Sequence, residues 1–285
     1  MFRYMYDISC CGALKKHSSS MKTHLILIFN LIFALTFGQQ ENLIKFQDDS
    51  RLNGYKNAEG EIIVKPMYKH ASVFNQGLAL VSTDAGWTII NSKGNELVEY
   101  GEFPGTVYSN LEYKYIRHKK NDKWGFIDRK GNLIIDYQYD ETKDFNEEMA
   151  SVQIDGKWGF INIENELIIK PIFENTQVFS DNFAAIQLNE KWGFIDKEGN
   201  QVIEPKYKSV YNFSEGLCAV NSQPFDMANG GWANEIIDKS GKIVFTGEFY
   251  FFNGYSNGIA DYWEGYHFSG KHIFIDRKGN VIRAE

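Results

Sequence analysis

Past Gln40 the apolar positions of this chain recur at every second residue. In Trp192-Gly193-Phe194-Ile195-Asp196 the rings of Trp192 and Phe194 fall on one side and Ile195 on the other, the period of an extended strand and not of a helix. Runs of this kind are punctuated by Asp-Arg-Lys-Gly, Asp-Lys-Glu-Gly and Asp-Lys-Ser-Gly. An Asp side chain accepts the backbone N–H two residues on, and the closing Gly takes the positive φ of a bulged hairpin, so each tetrad predicts an antiparallel turn. No window past Gln40 long enough for a helix carries a helical stripe.

The runs repeat. Asn57, Asn91, Asp128, Asn162, Asp196, Asp238 and Asp276 close successive copies at spacings of 34, 37, 34, 34, 42 and 38. Three copies are nearly identical: KWGFIDRKG from Lys123, KWGFINIEN from Lys157 and KWGFIDKEG from Lys191. NGYKNAEG from Asn53, GWTIINSKG from Gly86, WANEIIDKSG from Trp232 and KHIFIDRKG from Lys271 keep the same register. After each motif comes a second apolar stretch, often ended by proline and an aromatic (IIVKPMY, LIIKPIF). A phenylalanine, a polar turn and a third apolar stretch follow (FNQGLALV, FSEGLCAV). Each unit reads as a three-strand meander in which the motif strand pairs with the strand after it, with a fourth short strand around the Pro-x-Tyr to Phe segment. One meander cannot cover both of its faces, so the copies must stack. The Trp and Phe rings, each able to bury on the order of 150–250 Å², are the natural filling. The predicted fold is all-β, in tandem antiparallel repeats of three to four strands, with a propeller-like ring favoured over an open twisted array.

The Lys-Trp-Gly-Phe-Ile-Asp core resembles the bacterial WG-repeat family, also called the KWG repeat. The match is close at Trp124-Gly125, Trp158-Gly159 and Trp192-Gly193, looser at Trp87, and degraded at Tyr55, Trp232 and Lys271. The resemblance implies an all-β tandem fold in proteins commonly exported or envelope-associated, and it implies no agreed biochemical activity.

The N-terminus reads as an address. After Met21 and Lys22, Leu25 to Phe37 is an apolar run broken only by Asn30 and Thr36. It suits the core of a secretory signal and falls short of the roughly 20 residues that span a bilayer. Small residues before Gln39 place cleavage after Gly38. The domain plan is therefore 1–20 as an upstream non-native start or leader, 21–38 as signal peptide and 39–285 as a seven-unit repeat domain with no membrane span. The expected location is periplasmic or secreted. Loss of the leader removes four cations and one acid and takes the net charge from −7 to −10. That balance repels phosphate backbones and makes nucleic acid a poor partner. Cys218 alone would remain; it lies in an apolar run and reads as a buried, inert thiol.

The candidate chemistry is sparse. The repeated acids Asp128, Asp196, Asp238 and Asp276 read as turn caps, since Asn serves at three equivalent positions and no turn has the alternating oxygens of a calcium loop. Lys123, Lys157 and Lys191 read as solvated edge lysines. His70, His118, His267 and His272 read as surface histidines without zinc spacing. There is no nucleophile elbow, phosphate loop or Cys/His pairing, and no cofactor or metal is expected. Two segments break the rhythm, Ser222–Gly231 and Tyr250–Ser269, and loops on a rigid scaffold are where function concentrates. The second gathers Asp261, Tyr262, Trp263, Glu264 and Tyr266, which are the candidate ligand-binding residues: rings for stacking, carboxylates for hydroxyls or amines. The functional expectation is an exported, non-enzymatic binding or scaffold protein contacting protein or glycan of the cell envelope. The alternative is a carbohydrate-active hydrolase using Asp261 and Glu264 as its acid pair; a purely structural envelope component is a third reading.

Overall fold

A computed structural model of the chain describes residues 43–103, 111, 113–222, 233–263 and 270–285. The proposed leader lies outside them. The described residues form seven antiparallel sheets of three or four strands in tandem, with no α-helix, as the period of two predicts.

Sheet four shows the pattern. Its strands Glu141–Thr142, Ala150–Ile154, Lys157–Ile161 and Leu167–Phe173 pair in chain order. Sheet five repeats it with Asn175–Thr176, Ala184–Leu188, Lys191–Ile195 and Gln201–Tyr207, and sheet six with Ser209–Val210, Leu217–Asn221, Ala233–Asp238 and Ile243–Phe249. Sheet seven comprises Tyr255–Ser256, Ile259–Trp263, His272–Asp276 and Val281–Ala284. Sheets one to three begin at Ile44, His70 and Tyr115 and have three strands each.

The sheet and the sequence unit are out of phase, which corrects the meander as read. The motif strand does pair with the strand after it, but its other partner is the third apolar stretch of the preceding unit: Ala150–Ile154 lies against Lys157–Ile161. The cause is a second hairpin, at Asp155-Gly156 and at Asn189-Glu190, where both residues have positive φ, the two-residue turn whose twist matches flanking strands. The fourth short strand exists where expected, after Pro-x-Tyr, but it opens the next sheet instead of closing its own.

The pleat divides each motif between two interfaces. Trp158 and Phe160 pack forward onto Phe179, Ile186 and Ile195 of sheet five, while Ile161 packs back onto Trp124 and Phe126 of sheet three. Six such buried clusters join consecutive sheets, the arrangement that a ring and an open array share. At four junctions a motif ring meets an aromatic from the next sheet edge to face: Tyr55–Phe74, Phe126–Phe145, Phe160–Phe179 and Phe194–Phe213, with centroids 4.7–4.9 Å apart. Such pairs add about 0.5–1.5 kcal/mol beyond the area they bury.

The glycine of Trp-Gly has a packing reason. Trp158 faces Phe173 and Phe160 faces Ile169, so the outer strand carries two residues more than the motif strand over this interval and bulges across Gly159. A Cβ there would lie 2.4 Å from the Ile169 carbonyl oxygen, and the equivalent distances at Gly125 and Gly193 are both 2.5 Å. Only a residue without a side chain lets the bulge cross so closely.

Polar contacts repeat at the junctions as well. Glu147 accepts the Asn182 N–H at 2.9 Å and pairs with Lys197 at 3.3 Å. One unit on, Asp181 accepts the Gly216 N–H and pairs with Lys239 at 2.8 Å. Next, Glu215 accepts the Gly258 N–H at 2.9 Å and pairs with Arg277 at 3.5 Å. These acids clamp sheets four, five and six each to the one after it. The turn acids behave as caps: Asp196 accepts the N–H groups of Glu198 and Asn200 at 3.1 and 2.7 Å. Lys123 is paired with Asp140 at 2.5 Å.

Candidate functional site

The five residues singled out in the sequence do not form one group. Strand alternation splits those that are described. Asp261 and Trp263 point to the outward face of sheet seven, whereas Tyr262 turns inward, packing edge-on against Phe249 at 5.1 Å and joining the sheet six to seven core. Glu264 and Tyr266 lie outside the described residues, as do His267 and nearly all of the Ser222–Gly231 insertion.

The outward face is completed by residues that the sequence reading passed over. His272 occupies the motif position held elsewhere by tryptophan, directly across the ladder from Trp263. The two rings are stacked, 4.8 Å apart and 5° from parallel. Phe274 sits 4.5 Å beyond His272, and the Arg283 guanidinium lies over Phe274 at 3.9 Å. The result is a layered row of Trp263, His272, Phe274 and Arg283 along one face. The signal for His272 was its register: KHIFID set beside KWGFID.

Asp261 anchors the row. Its Oδ2 lies 2.6 Å from His272 Nε2 and accepts the Asn253 side-chain N–H, also at 2.6 Å. The Asn253 backbone N–H binds the Asp261 carbonyl at 3.0 Å, which fixes the approach of the preceding loop. Both side chains of the pair are about a quarter exposed, 24% for Asp261 and 26% for His272. The face can therefore offer a half-buried platform of rings beside a carboxylate oxygen that already holds two donors.

Elsewhere the titratable groups serve packing. His118 corrects the reading of all four histidines as superficial: it is fully buried, and its Nδ1 lies 2.7 Å from the Tyr137 hydroxyl. Burial, helped by the Lys120 charge, pushes its pKa down to about 4. Because it sits on Tyr115–Lys120, a strand flanked by basic residues, nothing in the sequence marked it as internal. His70 is exposed and stacks on Trp87 at 5.7 Å. Lys143 lies 4.7 Å over the Trp158 ring and donates to Asn175 Oδ1 and the Thr176 carbonyl; burial, with Arg117 beside it, lowers its pKa to about 8. Burial drives the Cys218 thiol far above its usual range. Among the described residues no group of three or more His, Cys, Asp or Glu could hold a metal ion, and no helix is long and apolar enough to cross a membrane.

Comparison with known proteins bears on the fold. The family described as WG containing repeat matches residues 54–87, 124–158, 158–192 and 192–222. No curated protein matches the chain. Among solved structures it is similar to one described as the crystal structure of the eukaryotic initiation factor, 13% identical, TM-score 0.49, over 87% of this chain and 74% of that one. Kluyveromyces lactis Hsv2p is likewise similar, at 13% identity and TM-score 0.42, over 71% of each chain. A third likeness is to dihydro-heme d1 dehydrogenase NirN in complex with DHE, at 11% identity and TM-score 0.41, over 87% of this chain and 64% of that one.

Proposed function

This chain belongs to the WG-repeat family, and on that premise we propose that it is an exported, non-enzymatic binding or scaffold protein of the periplasm or cell exterior, contacting protein or glycan through the outward face of sheet seven. The observation that carries the reading is the ring row of Trp263, His272 and Phe274 beside Asp261. Flat rings next to a carboxylate suit a sugar or a ring-bearing protein surface, with stacking contributed by the rings and hydroxyl or amine contacts by the acid. A repeat scaffold of stacked sheets holds such a platform rigidly, which keeps the entropy cost of binding low. The leader motivates export, with Leu25 to Phe37 as the signal core.

The hydrolase reading needs Asp261 as a free acid or nucleophile. Its Oδ2 instead holds His272 and Asn253, which favours a positioning role. A glycan panel tests both readings together: the protein and its Trp263→Ala and Asp261→Asn variants are screened for retention and for cleavage. Retention without turnover, weakened at least tenfold by Trp263→Ala, is the expected outcome. Turnover that disappears in folded Asp261→Asn would establish the enzyme instead. Export is checked by fractionating cells that express a C-terminally tagged chain and sequencing the N-terminus of the recovered protein, which should begin at Gln39.

A further inference from the structure

The junction between sheets three and four departs from the rule that four of the other five keep; at the junction of sheets one and two the equivalent position is Ser92. At four junctions the residue after the motif's closing acid is basic and reaches back onto the preceding sheet. Arg129 donates to the Gln76 carbonyl at 3.1 Å, Lys197 meets Glu147 at 3.3 Å, Lys239 meets Asp181 at 2.8 Å and Arg277 meets Glu215 at 3.5 Å. Counting in the same register, the two positions at the sheet three to four junction are Tyr113 and Ile163, a pair that cannot form a charge contact.

A cleft of about 520 Å³ opens at this place. Its walls include Tyr113, Tyr115 and Phe145, the last two meeting edge to face at 5.4 Å. Glu147, Glu148 and Glu164 also line it, against a single ammonium, Lys114, whose Nζ sits 4.9 Å over the Tyr115 ring. Glu147 is engaged by Lys197 on its far side, while Glu148 and Glu164 are exposed. The same location that receives an internal cation at four other junctions is here bordered by carboxylates and rings, with no cation supplied by position 163.

We infer that this cleft binds a basic side chain of a partner polypeptide, with arginine the better fit. A guanidinium is planar, stacks on tyrosine and pairs with carboxylates through a fork of N–H groups, whereas an ammonium offers only a point charge. The partner's arginine would occupy the site that Arg129, Lys197, Lys239 and Arg277 fill from within the chain at the other junctions. This site lies on sheets three and four and is separate from the ring row of sheet seven.

The test is chemical-shift mapping of the isotope-labelled full chain with N-acetyl-arginine amide, and with N-acetyl-glycine amide and N-acetyl-glutamate amide as controls. Saturable shifts confined to the cleft, at Tyr113, Tyr115, Phe145, Glu148, Ile163 and Glu164, are expected with the arginine probe, at a Kd on the order of 1 mM for one side chain. The doubly substituted Glu148→Gln, Glu164→Gln protein, whose changes are at exposed positions, should bind at least tenfold more weakly with its unfolding midpoint unchanged. A second variant, Tyr113→Glu with Ile163→Lys, rebuilds the internal clamp and should also abolish the shifts. Equal shifts with the glycine probe, arginine shifts scattered over the acidic surface, or binding undiminished in both variants would each overturn the inference.

Discussion

Replacing Gly159 with alanine probes the reason for the family's signature dipeptide. The backbone at Gly159 is not in the left-handed region, so the substitution carries no φ penalty; its whole effect is steric. The new Cβ would stand 2.4 Å from the Ile169 carbonyl oxygen and 2.8 Å from the Pro171 nitrogen. An ordinary contact needs roughly 1 Å more, and the atoms in the way are backbone of the bulge, pinned at either end by the pairs Phe160–Ile169 and Trp158–Phe173. Overpacking of side chains costs about 1–3 kcal/mol; a backbone obstacle belongs at the upper end, offset by less than about 1 kcal/mol from the reduced freedom of the unfolded chain. The expected loss is about 3 kcal/mol. Gly156→Ala is the matched control: φ is +75° and nothing lies within 4 Å of the added Cβ, so only the conformational penalty of about 1–2 kcal/mol applies. Urea unfolding followed by tryptophan fluorescence measures both. If Gly159→Ala costs no more than Gly156→Ala, the close crossing of the bulge is not why glycine stands there.

Further outcomes follow from the same geometry. His118 titrates near 4 in the folded protein against about 6.5 unfolded. The unfolded state therefore binds the proton first, and stability falls as pH drops from about 6.5 to about 4, by up to roughly 3 kcal/mol. Urea midpoints across that range should show the decline, and His118→Gln should flatten it. Asp181→Asn removes the charge that meets Lys239 at 2.8 Å; both side chains are partly exposed, so a loss of only about 1 kcal/mol is expected by thermal unfolding. The Cys218 thiol, fully buried, should resist alkylation in native protein and react once urea unfolds the chain, as read by mass spectrometry of its peptide.

Much of this architecture was legible because local chemistry and tertiary packing agree. The alternation of Trp158, Phe160 and Ile161 named their faces, and Asp-x-x-Gly named the turns. The phase between unit and sheet was legible only in part: Asp155-Gly156 between two apolar runs is a hairpin signal that the reading passed over, whereas Asn189-Glu190 carries none until its φ values are known. The junction clamps were hidden for a different reason: Glu147, Asp181 and Glu215 look like solvated loop acids, and their partners Lys197, Lys239 and Arg277 lie more than a whole unit further along the chain. At the candidate site, composition drew attention to the right strand. Adjacency in sequence then grouped Tyr262 with Trp263, which the pleat sends to opposite faces, and drew attention away from His272, which stands on the next strand.

The staggered boundary between unit and sheet bears on how such a chain can grow or be cut. Every duplicated unit must lend a strand to its neighbour, so a new copy is sewn in by a hydrogen-bonded ladder from its first appearance and does not depend on side-chain fit alone. A truncation placed at the motif lysine, such as Lys157, would strand the orphan Ala150–Ile154. One placed at Asp140, Glu174 or Lys208 would fall between whole sheets, and those corners are where shortened versions of the chain should remain soluble.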